Sequence, residues 1–321
     1  MIKSIRKELF MCGIAGFCNF TYDYTRNSIS FSKILDTVHD CLSHRGNDQF
    51  GHYLKKNVGL SHARLSIRDI ENGTQPMVRF LGNREYAIVY NGEIYNFQEL
   101  REELKDYPFK SHCDTEVILA AFLKWGISCV ERFNGMFAIA LYDREDESLY
   151  LVRDRIGKKP LYYWEDGNNL VFASELKPIM KHPGFEKSIR QELLNRYLVH
   201  QYINAPDTIF EHVYKLEPGS VYQFRKGKKK QWKYWDIASL YEEKKNSFQG
   251  TFEEAKEELK NKLSRSIEMR MIADVPLGTF LSGGYDSSLM TAMAQEKSSQ
   301  PVKTFSIGFE DKKYNEAIYA K

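Results

Sequence analysis

The stretch "MCGIAGF", residues 11–17, looks like a second start of the chain after ten preceding residues. Its cysteine, Cys12, is either an ordinary buried thiol in an apolar strand or a nucleophile that needs a base to form its thiolate. His44 and His62 are candidate bases by composition. The α-amino group of Cys12, with a pKa of roughly 7.7 to 8, is another candidate if residues 1–11 are removed. The stretch therefore raises the hypothesis of a cysteine nucleophile at a processed N-terminus.

The composition predicts a folded chain with room for two domains, since single cores stop growing near its length of 321 residues. A hydrophobic content of 42% and an aromatic content of 14% are sufficient for packed cores. The net charge of +3 is small, so we expect no nucleic-acid partner, and no apolar run approaches the roughly 18 to 20 residues of a membrane span. The five cysteines show neither a C-x-x-C pair nor zinc spacing, which predicts a reducing, cytoplasmic location and no metal site.

Short strands dominate the first two-thirds of the sequence. They are predicted at residues 86–97, 136–143, 148–154, 160–166 and 169–175, with polar turns between them. A helix is predicted after Asp114, which is a candidate N-cap, and it stops at Gly126. This pattern favours a mixed α/β layered domain with largely antiparallel strands over a doubly wound one.

A second pattern begins after about residue 215. A basic stretch around residues 226–233 favours a solvated hairpin turn over a nucleic-acid patch, and a capping box at Thr251 and Glu254 starts a helix with an apolar stripe. The segments "DVPLGTFLSGGYDSSLMTAMAQ" and "VKTFSIGF" then predict a strand, a glycine turn, a helix and a parallel strand. Two or three strands cannot bury both faces of a parallel sheet, so the second domain is incomplete as written.

The glycine-rich loop "LSGGYDSS", residues 281–288, lies between the predicted strand and helix of the second domain. Its backbone N–H groups, hydroxyls and helix N-terminus suit an anion, although a tight turn capped by Asp286 or Ser287 is the alternative. The loop is not a Walker A sequence, and it resembles the pyrophosphate loop of ATP pyrophosphatases. This resemblance implies ATP and Mg²⁺ as cofactors and ATP contacts from Leu281, Ser282, Gly283, Gly284, Asp286, Ser287, Ser288 and Ile307.

Six motifs in the rest of the chain resemble class II glutamine amidotransferases, the N-terminal-nucleophile glutaminases. They are "CGIAG" at 12–16, "LSHRGND" at 42–48, "SHARLSI" at 61–67, "YNGEIYN" at 90–96, "CDTEV" at 113–117 and "RDRIGKKPLYY" at 153–163. Their order, followed by the pyrophosphate loop, is similar to that of glutamine-hydrolysing asparagine synthetases. The resemblance implies an α/β chain: an N-terminal-nucleophile αββα sandwich of antiparallel sheets, then the beginning of a Rossmann-like parallel α/β ATP-pyrophosphatase domain.

The predicted organisation has four parts. They are an N-terminal extension or propeptide at 1–11, a glutaminase domain at 12–215, a linker at 216–250 and an incomplete asparagine-synthetase-like domain at 251–321. An intact extension would turn the α-amine of Cys12 into a peptide nitrogen without useful basicity. We therefore expect residues 1–11 to be absent from an active form.

The resemblance also implies the roles of individual residues in the first domain. Cys12 attacks the side-chain amide of glutamine, and Asn91 and Gly92 form the oxyanion hole. Glutamine binding falls to Arg64, Leu65, Ile67, Asn91, Gly92, Glu93 and Asp114. Within this set, the arginine clamps the α-carboxylate with its planar guanidinium, and the two acidic residues receive the α-ammonium. Each role has an ordinary alternative: a hairpin turn for Asn-Gly, a surface ion pair for the arginine and a helix cap for the aspartate.

The function implied by the resemblance is glutamine-dependent asparagine synthesis. Ammonia from glutamine is transferred to an adenylated carboxylate, and aspartate is the expected acceptor, giving asparagine, AMP and pyrophosphate. The implied partners are glutamine, aspartate and ATP, together with a second copy in a homodimer. Three alternatives stay open: another acceptor such as a surface-polysaccharide sugar acid, glutaminase activity alone, and a non-enzymatic assembly module.

Overall fold

The computed structural model describes residues 11–311, 313 and 315–320 of the chain. They form two compact units, of which the first ends at Ala238 and the second begins at Ser239. Of the predicted N-terminal extension, residues 1–11, only Met11 falls within the described residues. Among the described residues, no helix has the length and apolar character needed to cross a membrane.

Two six-stranded antiparallel sheets form the centre of the first unit, within the described residues. The strands are β1 (Gly13–Cys18), β2 (Gln49–Lys55), β3 (Val58–Arg64), β4 (Met77–Leu81), β5 (Arg84–Ile94), β6 (Gly135–Asp143), β7 (Ser148–Arg153), β8 (Tyr162–Asp166), β9 (Asn169–Ala173), β10 (Val213–Lys215), β11 (Ser220–Arg225) and β12 (Lys228–Lys233). The first sheet has the order β10-β8-β9-β1-β3-β2, and the second has the order β12-β11-β7-β6-β5-β4.

Helices cover the outer faces of the two sheets. They are α1 (Ser28–Leu42), α2 (Phe97–Glu103), α3 (Asp114–Trp125), α4 (Leu176–Ile179) and α5 (Gln191–His200), and α6 (Ile237–Lys244) follows the last strand. Alternation along β5 shows how the layers form: Ile88 and Tyr90 pack in the core with α3, whereas Ala87 and Val89 pack in the core between the sheets. Helix α1 packs on the other sheet through Leu35 and its neighbours. This layering confirms the predicted αββα sandwich.

The strand pair β11–β12 lies within residues 216–250, where the sequence predicted a linker. Strand β11 pairs with β7 of the second sheet, and its apolar side chains Val221 and Phe224 are fully buried. Strand β12 presents its lysines to solvent and is attached to β11 by the antiparallel backbone ladder. The lysine-rich stretch is therefore a solvated edge hairpin of the first unit, because backbone pairing rather than side-chain burial holds its outer strand.

The second unit contains the predicted parallel βαβ arrangement. Its elements are α7 (Phe252–Arg270), β13 (Gly278–Phe280), α8 (Tyr285–Lys297) and β14 (Lys303–Phe305), and β13 pairs with β14 in parallel. The capping box at Thr251 and Glu254 is present. The predicted apolar stripe of α7 is buried only at its C-terminal end: Ile267 packs against Met293 of α8, whereas Leu259 is exposed.

Candidate active site

A single cavity in the first unit brings together residues from four distant parts of the sequence. Cys12 directly precedes β1, Arg64 ends β3, Asn91 lies within β5, and Asp114 begins α3. All of the residues predicted for glutamine hydrolysis line this cavity, namely Cys12, Arg64, Leu65, Ile67, Asn91, Gly92, Glu93 and Asp114. Antiparallel pairing of β1 with β3 explains the proximity of the cysteine to the arginine, because Gly13 lies opposite Ala63.

The thiol of Cys12 lies against the backbone of Leu65. The N–H of Leu65 points to Sγ at 3.4 Å, and Sγ lies 3.5 Å from the carbonyl oxygen of the same residue. Arg45 fixes the backbone on the other side, because its Nε donates to the Cys12 carbonyl at 3.1 Å while its Nη1 contacts Glu175 at 3.0 Å. Burial raises the pKa of the thiol, against the opposing effects of the Leu65 N–H and of nearby cations. The backbone contacts hold the Cys12 thiol in place at the edge of β1.

Neither histidine proposed as a base serves Cys12. His62 is fully buried, its Nε2 lies 3.1 Å from the carbonyl oxygen of Tyr90, and burial lowers its pKa to about 3. His44 instead pairs with Glu175 at 3.0 Å. Among the described residues, the cavity lining includes neither ring. The histidine alternative is therefore unsupported, and the α-amine of Cys12 is left as the candidate base.

Asn91 and Gly92 lie inside strand β5 and do not form the alternative hairpin turn. They pair with Ala138 and Phe137 of β6. A Cβ on Gly92 would lie 2.2 Å from the carbonyl oxygen of Met136, so this position excludes a larger side chain. Asn91 is 1% exposed, and its side-chain Nδ2 makes no hydrogen bond within the described residues. A buried amide donor that faces a cavity and lacks a partner is suited to bind an oxygen that develops negative charge.

Arg64 lines the cavity, and its two terminal nitrogens contact groups of the protein. Its Nη1 donates to the Gln49 side chain at 3.0 Å and to the Ile70 carbonyl at 2.9 Å. Its Nη2 donates to the carbonyls of Arg68 and Asp69 at 3.1 and 2.8 Å. Both terminal nitrogens are therefore engaged in holding the loop that follows β3. The guanidinium also contributes its positive charge to the cavity, where it acts on the Cys12 thiol.

Two carboxylates form the acidic side of the cavity. Asp114 accepts hydrogen bonds from the Tyr90 hydroxyl at 2.8 Å and from the Ile94 N–H at 2.9 Å, and Cys113 rather than Asp114 is the N-cap of α3. Burial raises the pKa of Asp114 against these hydrogen bonds. Glu93 lies 3.4 Å from Nη2 of Arg68. These carboxylates would accept an ammonium group that enters the cavity.

Arg68, Gln75 and Lys159 also line the cavity, and the sequence analysis assigned them no role. Arg68 stacks on the ring of Phe97 at 4.4 Å, and Gln75 accepts a hydrogen bond from the Tyr90 N–H at 2.6 Å. Lys159 belongs to the motif at residues 153–163, which resembles a motif of class II glutamine amidotransferases. No residue pattern indicated a role for Arg68 or Gln75.

The residues predicted to contact ATP lie together in the second unit. Leu281 follows β13 and Ile307 follows β14, so both stand at the same end of the parallel pair. The Leu281 N–H donates to the Phe305 carbonyl at 2.9 Å. The glycine loop starts from this point and leads into α8, whose N-cap is Gly284. The alternative cap by Asp286 or Ser287 is not formed, because no side chain caps this helix.

The loop chemistry fits a phosphate group with a magnesium ion. The hydroxyls of Ser282 and Ser287 lie 3.0 Å apart beside the start of a 13-residue helix, whose N-terminus favours anions. Gly283 has a φ of +84°, and a Cβ there would lie 2.4 Å from Cβ of Tyr319. Asp286 is the loop's carboxylate, and Mg²⁺ is commonly held by one or two carboxylates together with substrate phosphates.

Comparison with known proteins assigns the two parts of the chain separately. Residues 11–235 match the glutamine amidotransferase domain, and residues 258–321 match asparagine synthase. The chain is 34% identical over 308 residues to the glutamine-hydrolyzing asparagine synthetase 3 of Bacillus subtilis, covering 94% of this chain and 48% of that protein. It is 36% identical over 315 residues to asparagine synthetase 1 of the same organism, covering 97% and 48%. A putative asparagine synthetase 2 of Methanocaldococcus jannaschii is 34% identical, covering 97% and 62%.

Solved structures agree with the fold. Glutamine phosphoribosylpyrophosphate amidotransferase from B. subtilis superimposes with a TM-score of 0.50 at 14% identity, covering 94% of this chain and 67% of that one. The allosteric regulatory enzyme of purine biosynthesis has a TM-score of 0.50 at 17% identity, covering 69% and 49%. The chain spans about half the length of the two Bacillus synthetases that it matches.

Proposed function

This chain belongs to the glutamine amidotransferase domain family, and on that basis we propose that it hydrolyses glutamine at Cys12 and supplies the ammonia for amidation of an ATP-activated carboxylate. The observation that carries the proposal is the side-chain Nδ2 of Asn91, a residue that lines the cavity: this atom is buried and makes no hydrogen bond within the described residues. Retaining such a donor is unfavourable for folding, so a ligand oxygen is its natural partner.

The proposed chemistry starts at the thiol of Cys12. The α-amine of Cys12, exposed by removal of residues 1–11, takes the thiol proton, and the sulfur attacks the side-chain carbonyl carbon of glutamine. The carbonyl oxygen becomes an oxyanion that accepts from Asn91 Nδ2 and from the Gly92 N–H. Collapse of this intermediate breaks the C–N bond, and the α-ammonium protonates the departing nitrogen as ammonia. Water then hydrolyses the glutamyl thioester.

The cavity also offers partners for the two ends of the amino acid. The α-ammonium is proposed to lie at Glu93 and Asp114, with Leu65 and Ile67 shaping the pocket around the aliphatic chain. The α-carboxylate is proposed to lie on the positive side of the cavity. Arg64 contributes there through its charge and its Nε–H, since its Nη atoms hold the loop after β3.

The second unit is proposed to activate the acceptor with ATP. The loop from Ser282 to Ser288 would hold the pyrophosphate, and Leu281 and Ile307 would lie beside the adenine. Bound Mg²⁺ would supply charge neutralisation on the phosphates, with Asp286 as its protein ligand. We propose aspartate as the acceptor, giving asparagine, AMP and pyrophosphate, since three relatives carry asparagine synthetase in their names. Cytoplasmic location and a homodimer complete the proposal.

The decisive experiment measures ammonia release from glutamine by two forms of the chain. One form begins at Met1 and the other begins at Cys12, and each is compared with its Cys12→Ala variant. We expect hydrolysis only in the form with Cys12 at its N-terminus, and none after Cys12→Ala. Equal rates with and without the cysteine would refute the glutaminase assignment.

The acceptor is tested separately by AMP formation from ATP with aspartate and with a panel of other carboxylic acids. Aspartate-dependent AMP and asparagine would support the finer assignment. AMP formation with a sugar acid and none with aspartate would replace aspartate by that acid. Ammonia release without AMP formation for any acid would leave glutaminase activity alone.

A further inference from the structure

Lys159 places a buried ammonium beside the nucleophile. Its side chain is 4% exposed and lines the same cavity as Cys12. Its Nζ lies 2.8 Å from Sδ of Met11, the residue bonded to Cys12, and a thioether sulfur is only a weak acceptor. In the part of the chain that the structure describes, this ammonium forms no ion pair with a carboxylate. Buried lysines are normally paired, so this arrangement needs a reason.

The loop that carries Lys159 is held rigidly from both sides. The Asp154 carboxylate is fully buried and accepts from the N–H groups of Phe137, Ile156, Lys158 and Lys159, at 2.9 to 3.3 Å. The Arg153 guanidinium spans the opposite side and donates to the Lys159 carbonyl at 2.9 Å. The motif "RDRIGKK" therefore builds a fixed support that directs one lysine into the cavity.

The same hydrogen bonds leave the lysine charge without a neutralising carboxylate. Asp154 directs its oxygens at backbone N–H groups, and Glu93 lies beside Arg68 at 3.4 Å. The charged groups that act on Lys159 are Cys12, Arg45, Glu93 and Asp154, and those that act on Cys12 are Arg64, Lys159 and Glu93. Burial lowers the pKa of Lys159, and Cys12 is the strongest influence that opposes this effect.

We propose that Lys159 is an electrostatic positioning residue for the nucleophile, whose ammonium favours the Cys12 thiolate. This inference rests on the proposed glutaminase function only in taking Cys12 as the nucleophile. A nearby cation stabilises an anion, so the ammonium lowers the free energy of the thiolate that the reaction needs. The proton leaves Sγ of Cys12 and is taken by its α-amine, while Lys159 keeps its own protons.

The test is the pH dependence of Cys12 alkylation by iodoacetamide, followed by mass spectrometry of the peptide that contains it. It is run on the chain beginning at Met1 and on the chain beginning at Cys12. Lys159→Met should move the midpoint of the alkylation profile upward by about one pH unit, because loss of a neighbouring opposite charge shifts a thiol by roughly that amount or more. Lys159→Arg keeps the charge, so its alkylation midpoint should lie close to that of the parent chain.

Lys158→Met is the matched control, since Lys158 is the exposed neighbour on the same loop and does not line the cavity. Its profile should equal that of the parent chain. Circular dichroism establishes that each variant is folded, and Lys159→Gln replaces the methionine variant if that one does not fold. A midpoint that is the same in the parent and in a folded, uncharged variant would overturn the proposal.

Glutamine kinetics separate this inference from the proposed function. Absence of glutamine hydrolysis together with a shifted alkylation midpoint would refute the glutaminase and support the lysine's action on the thiol. Hydrolysis of glutamine together with an unshifted alkylation midpoint would support the glutaminase and refute the lysine's action on the thiol. A raised KM for glutamine in Lys159→Met, with an unshifted midpoint, would make the lysine a substrate ligand and overturn its proposed role.

Discussion

Replacing Asn91 by leucine is expected to separate activity from stability. Asn91 is 1% exposed, and its side-chain Nδ2 makes no hydrogen bond within the described residues. A buried unpaired donor costs about 1–3 kcal/mol, so an apolar side chain of similar size should leave the free energy of unfolding unchanged or raise it by up to that amount. Loss of an oxyanion donor should lower kcat for glutamine hydrolysis by about 10²–10³-fold, equivalent to about 2.7–4 kcal/mol of transition-state stabilisation.

Asn57 provides the matched control for this variant. It is also buried, but its Nδ2 donates to the carbonyls of Asn19 and Tyr22 at 3.1 and 2.9 Å. Asn57→Leu leaves these carbonyls without their donor, so the free energy of unfolding should fall by about 1–3 kcal/mol. For a unit of this size that corresponds to a loss of about 2–4 °C in Tm for each kcal/mol. Its kcat should equal that of the parent chain.

The assay compares both variants in the chain that begins at Cys12. Ammonia release at saturating glutamine gives kcat, and thermal unfolding followed by circular dichroism gives Tm. Asn91→Leu should lose turnover without losing Tm, and Asn57→Leu should lose Tm without losing turnover. If Asn91→Leu unfolded as early as Asn57→Leu while keeping the parental kcat, the amide would be a structural group and the oxyanion assignment would be refuted.

Three further variants test the supports of the two units. Glu116→Gln should lower the free energy of unfolding by about 3 kcal/mol at pH 7, because it breaks the buried pair with Arg79 at 2.7 Å. Burial raises the pKa of Glu116, but its hydrogen bonds to Arg79 and Ser111 outweigh burial and hold the pKa below its ordinary value. Chemical denaturation should therefore show the stability difference between the parent chain and Glu116→Gln above about pH 4.5, and the difference should disappear at lower pH. Asp154→Asn should cost about 3 kcal/mol in the same measurement and move the alkylation midpoint of the nucleophile upward, as the supported loop relaxes. Gly283→Ala should destabilise its loop by about 1–2 kcal/mol through its φ of +84° and its approach to Tyr319, seen as weaker binding of an ATP analogue.

The strands of the first unit could be predicted because their residues alternate in sequence as their side chains alternate in space, whereas the αββα layering was implied by the resemblance to class II glutamine amidotransferases. Residues 87–90 of β5 send successive side chains to opposite cores, which is a period-two signal. A hairpin turn was predicted at residues 226–233, but the pairing of β11 with β7 in the first unit could not be predicted from the residue pattern. The outer strand of this hairpin carries exposed lysines and is held by backbone hydrogen bonds, which any residue type can form.

The candidate site divides along similar lines. Cys12, Asn91 and Asp114 could be identified from short motifs, and the structure brings all three to one cavity. The partners of Arg64 could not be identified, because they are mainly carbonyls of the following loop, and any residue provides a carbonyl. The clamp role of Arg64 stays a prediction.

Arg64 and Arg153 act alike in this respect, although they lie in different motifs. Each spreads its guanidinium over several backbone carbonyls, and each fixes a loop that places another cation at the cavity, Arg68 in one case and Lys159 in the other. A lysine in either position could not replace them, since its donors radiate from one atom and cannot span carbonyls on separate turns. The strands thus supply the neutral amide donor, whereas arginine-held loops supply the positive charges. The charges around Cys12 therefore depend on loop geometry, and replacing either arginine by lysine should shift the pH midpoint of Cys12 alkylation while the circular dichroism spectrum of the sheets stays unchanged.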